Sequence, residues 1–338
     1  MSKVFCILIC LLMLSFSATS TAFAASFTYG AWLPYWDIAT SLDETEALHS
    51  GLNTLIAFAC LFDNNDRLLM PEETEELLVA LQTSYASEEK AVFLSIVNDV
   101  EISDGKYENK SSALLTRLFQ SEESQSRHLE ELAALIDTYQ LKGLELDYEN
   151  IKGNTDLWAS YALFIEKVWA MCQRDSVRLR IVLPWDAPKY IALPEGPEYS
   201  VMCYNLYGYH SGAGPKADLD FLKATCELYR HVPSPVSMAF ATGGFDWHEG
   251  RITALTQEEA QEQLYMAQIV PQRDMLSGAM TATYQEDGVQ HELWYADALT
   301  LQIWRDLCAQ YGFGSFDLFR LGGNDRLDWE AQLFNVEP

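Results

Sequence analysis

Residues 141–150 read Leu-Lys-Gly-Leu-Glu-Leu-Asp-Tyr-Glu-Asn. Glu145, Asp147 and Glu149 fall on every second position, with Leu144, Leu146 and Tyr148 between them. On a β-strand alternate side chains share a face, so the three carboxyls project one way and the bulky residues the other. If that face is an interior, three acids crowd into a low dielectric and cannot all ionise; at least one keeps its proton near neutral pH. A protonated carboxyl beside a carboxylate is the pairing that acid-assisted cleavage of a glycosidic bond requires. The same ten residues also fit a half-exposed strand with a solvated acidic face. The rest of the chain decides between the two.

Further β-rich runs flank this strand. In order they are Thr28–Leu33, Asn53–Cys60, Ala91–Val97, Gly143–Tyr148, Arg178–Pro184, Tyr199–Tyr204, Val236–Thr242 and Gly314–Leu321. Several are almost continuously apolar, as strands covered on both faces must be. Helical periods lie between them. Leu129, Leu132, Ala133, Ile136 and Tyr139 precede the acidic strand, and Leu157, Tyr161, Phe164, Ile165 and Val168 follow it behind a Thr155 or Asp156 cap. Pro71 and the glutamates after it read as a helix start, Thr256–Glu259 fits a capping box, and the stripe Leu301, Trp304, Cys308, Tyr311 stops at Gly312. Strand–helix alternation repeated eight times predicts an α/β fold, a closed (β/α)₈ TIM barrel, with a doubly wound open sheet as the alternative. A small hairpin, Tyr284 to Tyr295 turned at Asp287-Gly288, is expected as an insertion between strands seven and eight. In the barrel the fourth strand is no edge, so the solvated-face reading fails and the acids point inward. Glu149 then comes last, nearest the C-terminal rim where barrel sites lie.

Composition bounds the function. The 338 residues carry 22 Lys+Arg against 49 Asp+Glu, a formal charge of −27, with no basic run, so nucleic acid and anionic membranes are poor partners. Residues 1–24 read as a secretory signal: Lys3, the apolar run Val4 to Phe16, and Ala22-Phe23-Ala24 before a mature start at Ala25. The run is roughly 20 Å long as a helix, too short to span a bilayer of roughly 30 Å, so a secreted protein with no membrane span is expected. Residues 25–338 then form one barrel domain, expected to be a monomer. Cys60, Cys172, Cys203, Cys226 and Cys308 are odd in number and widely spaced, which argues for buried thiols and against a disulfide framework or zinc site.

Leu141 to Glu149 resembles the signature strand of glycoside hydrolase family 18, Asp-Gly-x-Asp-x-Asp-x-Glu. Tyr29–Asp37, Ser200–Pro215 and Phe316–Asp325 resemble that family's first, sixth and last strands, in the right order. The last of these is nearest to a spore-cortex and peptidoglycan-directed branch. The resemblance implies substrate-assisted hydrolysis of β-1,4 linkages in N-acetylglucosamine-containing glycans, chitin or peptidoglycan, with no metal or organic cofactor. It implies that Glu149 protonates the glycosidic oxygen, Asp147 orients the substrate acetamide, Tyr204 bonds the acetamide oxygen, and Glu145 shares a proton with Asp147. Four positions depart from the pattern: Lys142 for the first Asp, Glu145 for the middle acid, Asn205 for an acid of the sixth strand, and Phe319 for the tryptophan that floors the cleaved sugar's subsite.

Weaker candidates remain double-valued. Trp36 and Trp185 follow strands one and five and read as sugar-stacking or as packing; Trp247 and Trp294 flank the insertion with the same ambiguity. Tyr204 also fits as a barrel filler. Arg320 reads equally as a rim contact to an acid or as a structural ion pair. Gly243-Gly244 lacks the surroundings of a phosphate loop, and no metal spacing gathers around His210. Two other functions stand beside hydrolysis: a sugar-binding lectin or scaffold, which the retained Glu149 argues against, and a phosphate- or metal-using barrel enzyme, whose ligand clusters are missing.

Overall fold

The computed structural model describes residues 27–48, 50–85, 90–103 and 105–334. The expected leader, residues 1–24, lies outside the described residues. Eight parallel strands close a ring: Thr28–Pro34, Thr54–Asp63, Ala91–Ser103, Gly143–Asp147, Arg178–Pro184, Glu198–Met202, Val236–Ala241 and Ser315–Phe319. Neighbours in the chain are neighbours in the ring, and the last strand pairs with the first from Thr28↔Ser315 to Ala31↔Leu318. The closed barrel is therefore present and the open-sheet alternative is excluded. No described helix is long and apolar enough to cross a membrane.

Helices cover the outside. Leu144 and Leu146 are fully buried in the layer between strands and helices, where Val168, Leu132 and Tyr161 meet them. Tyr148 joins them and its hydroxyl lies 2.7 Å from His128 Nε2, an imidazole pushed down to about 3 by burial and so neutral. The helix after the acidic strand is Thr155–Arg174, capped by Asn154 accepting from the Leu157 N–H at 3.1 Å. The cap is thus one residue earlier than Thr155 or Asp156, because Asn154 is the last residue still extended, and only such a residue can turn its side chain onto the free N–H groups. The Thr256–Glu259 capping box forms as expected.

The expected hairpin forms between Met280–Glu286 and Val289–Ala296, and both turn residues Asp287 and Gly288 have positive φ, as a two-residue hairpin requires. It is only part of a larger insertion. Gly243–His248, Arg251–Leu255 and Gln272–Arg273 join it in a five-stranded antiparallel sheet against which the helix Gln257–Met266 packs. Gly243 and Gly244 supply the crossing from barrel to insertion. A Cβ on Gly244 would meet the Trp294 carbonyl oxygen at 1.7 Å, and Gly243 has φ +61°.

The barrel interior is polar in its lower half. Arg180, on the fifth strand, sits directly across from Glu145 and bridges it at 2.8 Å; the same guanidinium pairs with Asp317 of the eighth strand. All three are almost inaccessible. Trp32 Nε1 donates to Glu145 at 2.7 Å and Ser200 Oγ to Asp317 at 2.7 Å. Gly30 leaves the room: a Cβ there would meet an Asp317 oxygen at 2.3 Å. Above this ionic layer Phe58, Tyr204 and Phe319 close the interior with apolar surface.

Candidate active site

A groove of about 780 Å³ opens at the C-terminal rim, over the end of the acidic strand. Asp147 and Glu149 reach it, with Tyr204, Asn205, Phe319 and Trp36 on its walls. Four of the eight strands therefore deliver residues to one place, as a barrel rim allows.

Asp147 is the last residue of its strand and is buried, and its Oδ1 has no hydrogen-bond partner among the described residues. Burial first, then the Glu149 and Glu145 charges, raise its carboxyl well above the ordinary aspartate range, with Lys110 acting weakly against them. Its surroundings accordingly favour the protonated form of Asp147 over the charged one. Glu149 lies beyond the strand end and its backbone is clamped from both sides. Its N–H donates to Asn98 Oδ1 at 2.8 Å, and Asn98 Nδ2 donates to its carbonyl at 3.1 Å. Its carboxylate pairs with Lys110 Nζ at 2.5 Å. Burial is the strongest single influence and lowers the Lys110 ammonium, but the charge and hydrogen bond of Glu149, with the Asp147 and Asp99 charges, together outweigh it and the net shift is upward.

Glu145 lies a layer deeper, beneath the groove lining. Its nearest partners are Trp32 and Arg180, while its charge also acts on Asp147. Burial pushes its carboxyl up; Arg180, then Trp32, pull it down. Tyr204 stacks on Phe319 at 5.8 Å between ring centroids, and burial together with Asp147 holds its phenol well above the usual value, so it remains an O–H donor. Asn205 is exposed on the rim, its amide nitrogen 3.6 Å from Met202 Sδ. Trp36 is 53% exposed and edge-on to Phe58, which fits a stacking platform.

Trp185 lines a neighbouring pocket of about 510 Å³ that shares Glu149 and Asn205 with the main groove, and Lys189 lies over its ring at 3.9 Å. Arg320 pairs with Asp37, just past the end of the first strand, at 2.6 Å. Trp247 and Trp294 stay off the groove; Phe245 of the insertion reaches it instead.

Sequence reasoning missed several groove residues. Lys110 arrives because the third strand runs on to Ser103 and folds back as Lys106–Glu108. Asn98 and Asp99 sit on that overrun, and burial raises Asp99. Lys216 comes from the loop after the sixth strand. The overrun had a faint signal in the continued β-pattern Val100–Ile102; the lysines had none.

One trio has the donor set of a metal site: Asp246, His248 and His291, on one face of the inserted sheet. Asp246 Oδ2 meets His291 Nδ1 at 2.7 Å and accepts from Gln263 at 2.8 Å, the geometry of a hydrogen-bonded cluster. It lies outside the groove lining.

A closed parallel barrel brings an aspartate and a glutamate, two residues apart, from its fourth strand to a rim groove. No protein-family profile matches the chain. The curated "uncharacterized glycosylase YvbX" of Bacillus subtilis (strain 168) is 20% identical over 301 residues, 84% of this chain and 84% of its own length. The spore cortex-lytic enzyme SleL of Bacillus cereus superposes with a TM-score of 0.76 at 18% identity, over 92% of this chain and 74% of that one. A chitinase from Chromobacterium violaceum gives 0.76 at 16% identity, over 92% of this chain and 99% of that one. A class V chitinase from Nicotiana tobaccum, solved in complex with NAG4, gives 0.71 at 11% identity, over 90% and 99%. The family-18 resemblance read from residues 141–149 therefore holds at the level of the fold.

Proposed function

We propose that the chain is a retaining glycosidase that hydrolyses β-1,4 bonds in N-acetylglucosamine-containing glycans, with the substrate's own acetamide as nucleophile. The observation that carries this is the pair at the groove floor: a buried Asp147 with an unpartnered oxygen and a carboxyl raised by burial and the Glu149 charge, beneath a Glu149 whose backbone is fixed at the rim. Glycan entry draws Glu149 away from Lys110. The Asp147 proton passes to Glu149, which leaves Asp147 charged below the acetamide N–H. Glu149 then protonates the glycosidic oxygen while the acetamide oxygen bonds to the anomeric carbon and the leaving sugar departs. The resulting oxazolinium cation is balanced by Asp147, and the Tyr204 hydroxyl steadies the acetamide oxygen. Water adds to the anomeric carbon from the face the leaving group vacated, Glu149 takes its proton, and the anomeric configuration is retained.

The leader-like residues 1–24 support action outside the cytoplasm, where such polymers lie. A second reading, a sugar-binding protein without turnover, draws support from the Lys110–Glu149 ion pair, which already engages the carboxyl that hydrolysis would need. The deciding experiment is mass spectrometry of products from purified peptidoglycan and chitin oligomers, side by side, with a thiazoline mimic of the oxazolinium as inhibitor. Cleavage on the reducing side of an N-acetylglucosamine unit, blocked by the mimic, is expected. Binding without any cut bond would establish the second reading, and cleavage indifferent to the mimic would point to another mechanism.

A further inference from the structure

The groove holds two lysines in a chain that carries 49 acids against 22 Lys+Arg. Lys110 is neutralised by Glu149. Lys216 is different: among the described residues its ammonium has no ion pair and no hydrogen bond, and its only close neighbour of note is the face of Phe245, 4.3 Å from Nζ to the ring centroid. An excess of acids this large makes an unpaired groove cation unusual.

Its placement is built rather than incidental. The loop after the sixth strand leaves at Tyr204-Asn205 and returns so that the Leu206 N–H donates to the Lys216 carbonyl at 3.1 Å. Lys216 is thereby pinned beside the residues that face the scissile sugar. Phe245, from the inserted sheet, places its ring face against the ammonium. The charge is thus held in the groove by a contact of the protein itself, which lowers the entropy cost of using it. A cation–π contact with phenylalanine leaves all three N–H donors free.

We propose that Lys216 forms an anion-reading subsite beside the cleavage point, and that the preferred glycan carries a carboxylate on a sugar next to the cut bond, as the lactyl ether of N-acetylmuramic acid does. The proposal rests on the glycosidase reading above and sharpens it from N-acetylated glycans in general to acidic ones. Burial alone pulls the Lys216 ammonium down to about 8, with no acid of the protein restoring it. An arriving carboxylate supplies the missing counter-charge. Neutral chitin offers none, so the subsite discriminates between two glycans whose backbones are otherwise alike. A charge-assisted hydrogen bond in a partly desolvated pocket is the strong kind.

The test compares wild type, Lys216→Met and Lys216→Arg on equal-length substrates: a muramic-acid-containing peptidoglycan fragment, the same fragment with its lactyl carboxylate amidated, and a chitin oligomer. Met keeps an apolar stem and removes the charge. The readout is the ratio of kcat/KM on the acidic fragment to kcat/KM on the chitin oligomer, with calorimetric binding of both measured in parallel. The ratio should fall about ten-fold or more in Lys216→Met, hold in Lys216→Arg, and fall equally when wild type meets the amidated fragment. An unchanged ratio in Lys216→Met overturns the subsite even if both glycans are cut. If neither glycan is cut, the glycosidase reading fails by itself; the ratio of binding constants then judges Lys216 separately, and equal binding of acidic and neutral glycans overturns it.

Discussion

Replacing Arg180 with methionine tests the ionic layer beneath the site. The guanidinium is 4% exposed and faces Glu145 and Asp317, which are 0% and 1% exposed. Methionine fills much of the stem's volume but leaves two carboxyls in a dry interior, with only Trp32 and Ser200 to bond them. Removing one partner of a buried ion pair costs about 3–5 kcal/mol. For a domain of this size that lowers Tm by about 10 °C. The loss must depend on pH, and its sign follows from burial. In the variant Glu145, already raised by burial, loses the Arg180 charge that pulls it down, so its folded-state pKa lies further above its unfolded one and the folded chain binds more protons than the unfolded chain. Stability is then greatest below the unfolded carboxylate range and falls as pH rises through the folded value. The gap between wild type and variant should therefore be small near pH 4.5 and full at pH 8. Urea unfolding followed by tryptophan fluorescence at both pH values measures it. Adding Glu145→Gln and Asp317→Asn to the variant should recover most of the loss. A gap below about 1 kcal/mol at pH 8, or one equal at the two pH values, refutes the reasoning.

Three other substitutions bear on the groove. Glu149→Gln should lower kcat by about 10²–10⁴-fold while N-acetylated oligosaccharides still bind; turnover near wild type would remove Glu149 from proton transfer. Asp147→Asn should abolish most hydrolysis yet raise thermal stability at pH 7. The raised Asp147 carboxyl costs the fold stability as pH climbs above the ordinary aspartate range, so the gain should vanish near pH 4. A variant less stable than wild type at pH 7 contradicts this. Phe319→Trp adds about 40 Å² of ring surface facing the groove, about 1 kcal/mol or about five-fold in Kd for a chitin oligomer by calorimetry. Unchanged affinity would place Phe319 away from the sugar.

All eight ring strands were legible because two-sided burial leaves an apolar run with few interruptions, and the acidic alternation of 145, 147 and 149 was legible because a strand's period is two. Arg180 and Asp317 were not. Asp317 is the one charge of its strand and Arg180 one of two arginines in a strand otherwise apolar, and only the ring's closure, which joins residues 137 positions apart, makes them partners. The insertion was underestimated for a related reason. Gly243–His248 follows the seventh strand with one residue between, so the chain's turn from barrel to second sheet was hidden in two glycines. Lys110 and Lys216 ride on irregular segments whose approach to the groove is set by Asp99, which accepts from the Lys110 N–H, and by the Leu206–Lys216 bond, contacts that no periodicity encodes.

The two-sided grip of Asn98 on the Glu149 peptide has a kinetic meaning. With that peptide anchored, the Lys110-bound and sugar-facing postures of the carboxylate differ by side-chain torsions alone. Such rotations take picoseconds to nanoseconds, against microseconds or longer for a moving lid. On the proposed mechanism, arming the donor is then not the slow step, and turnover would be governed by chemistry or by departure of the cut chain. Any redesign that shifts residue 149 must carry residue 98 with it, although 51 positions separate them.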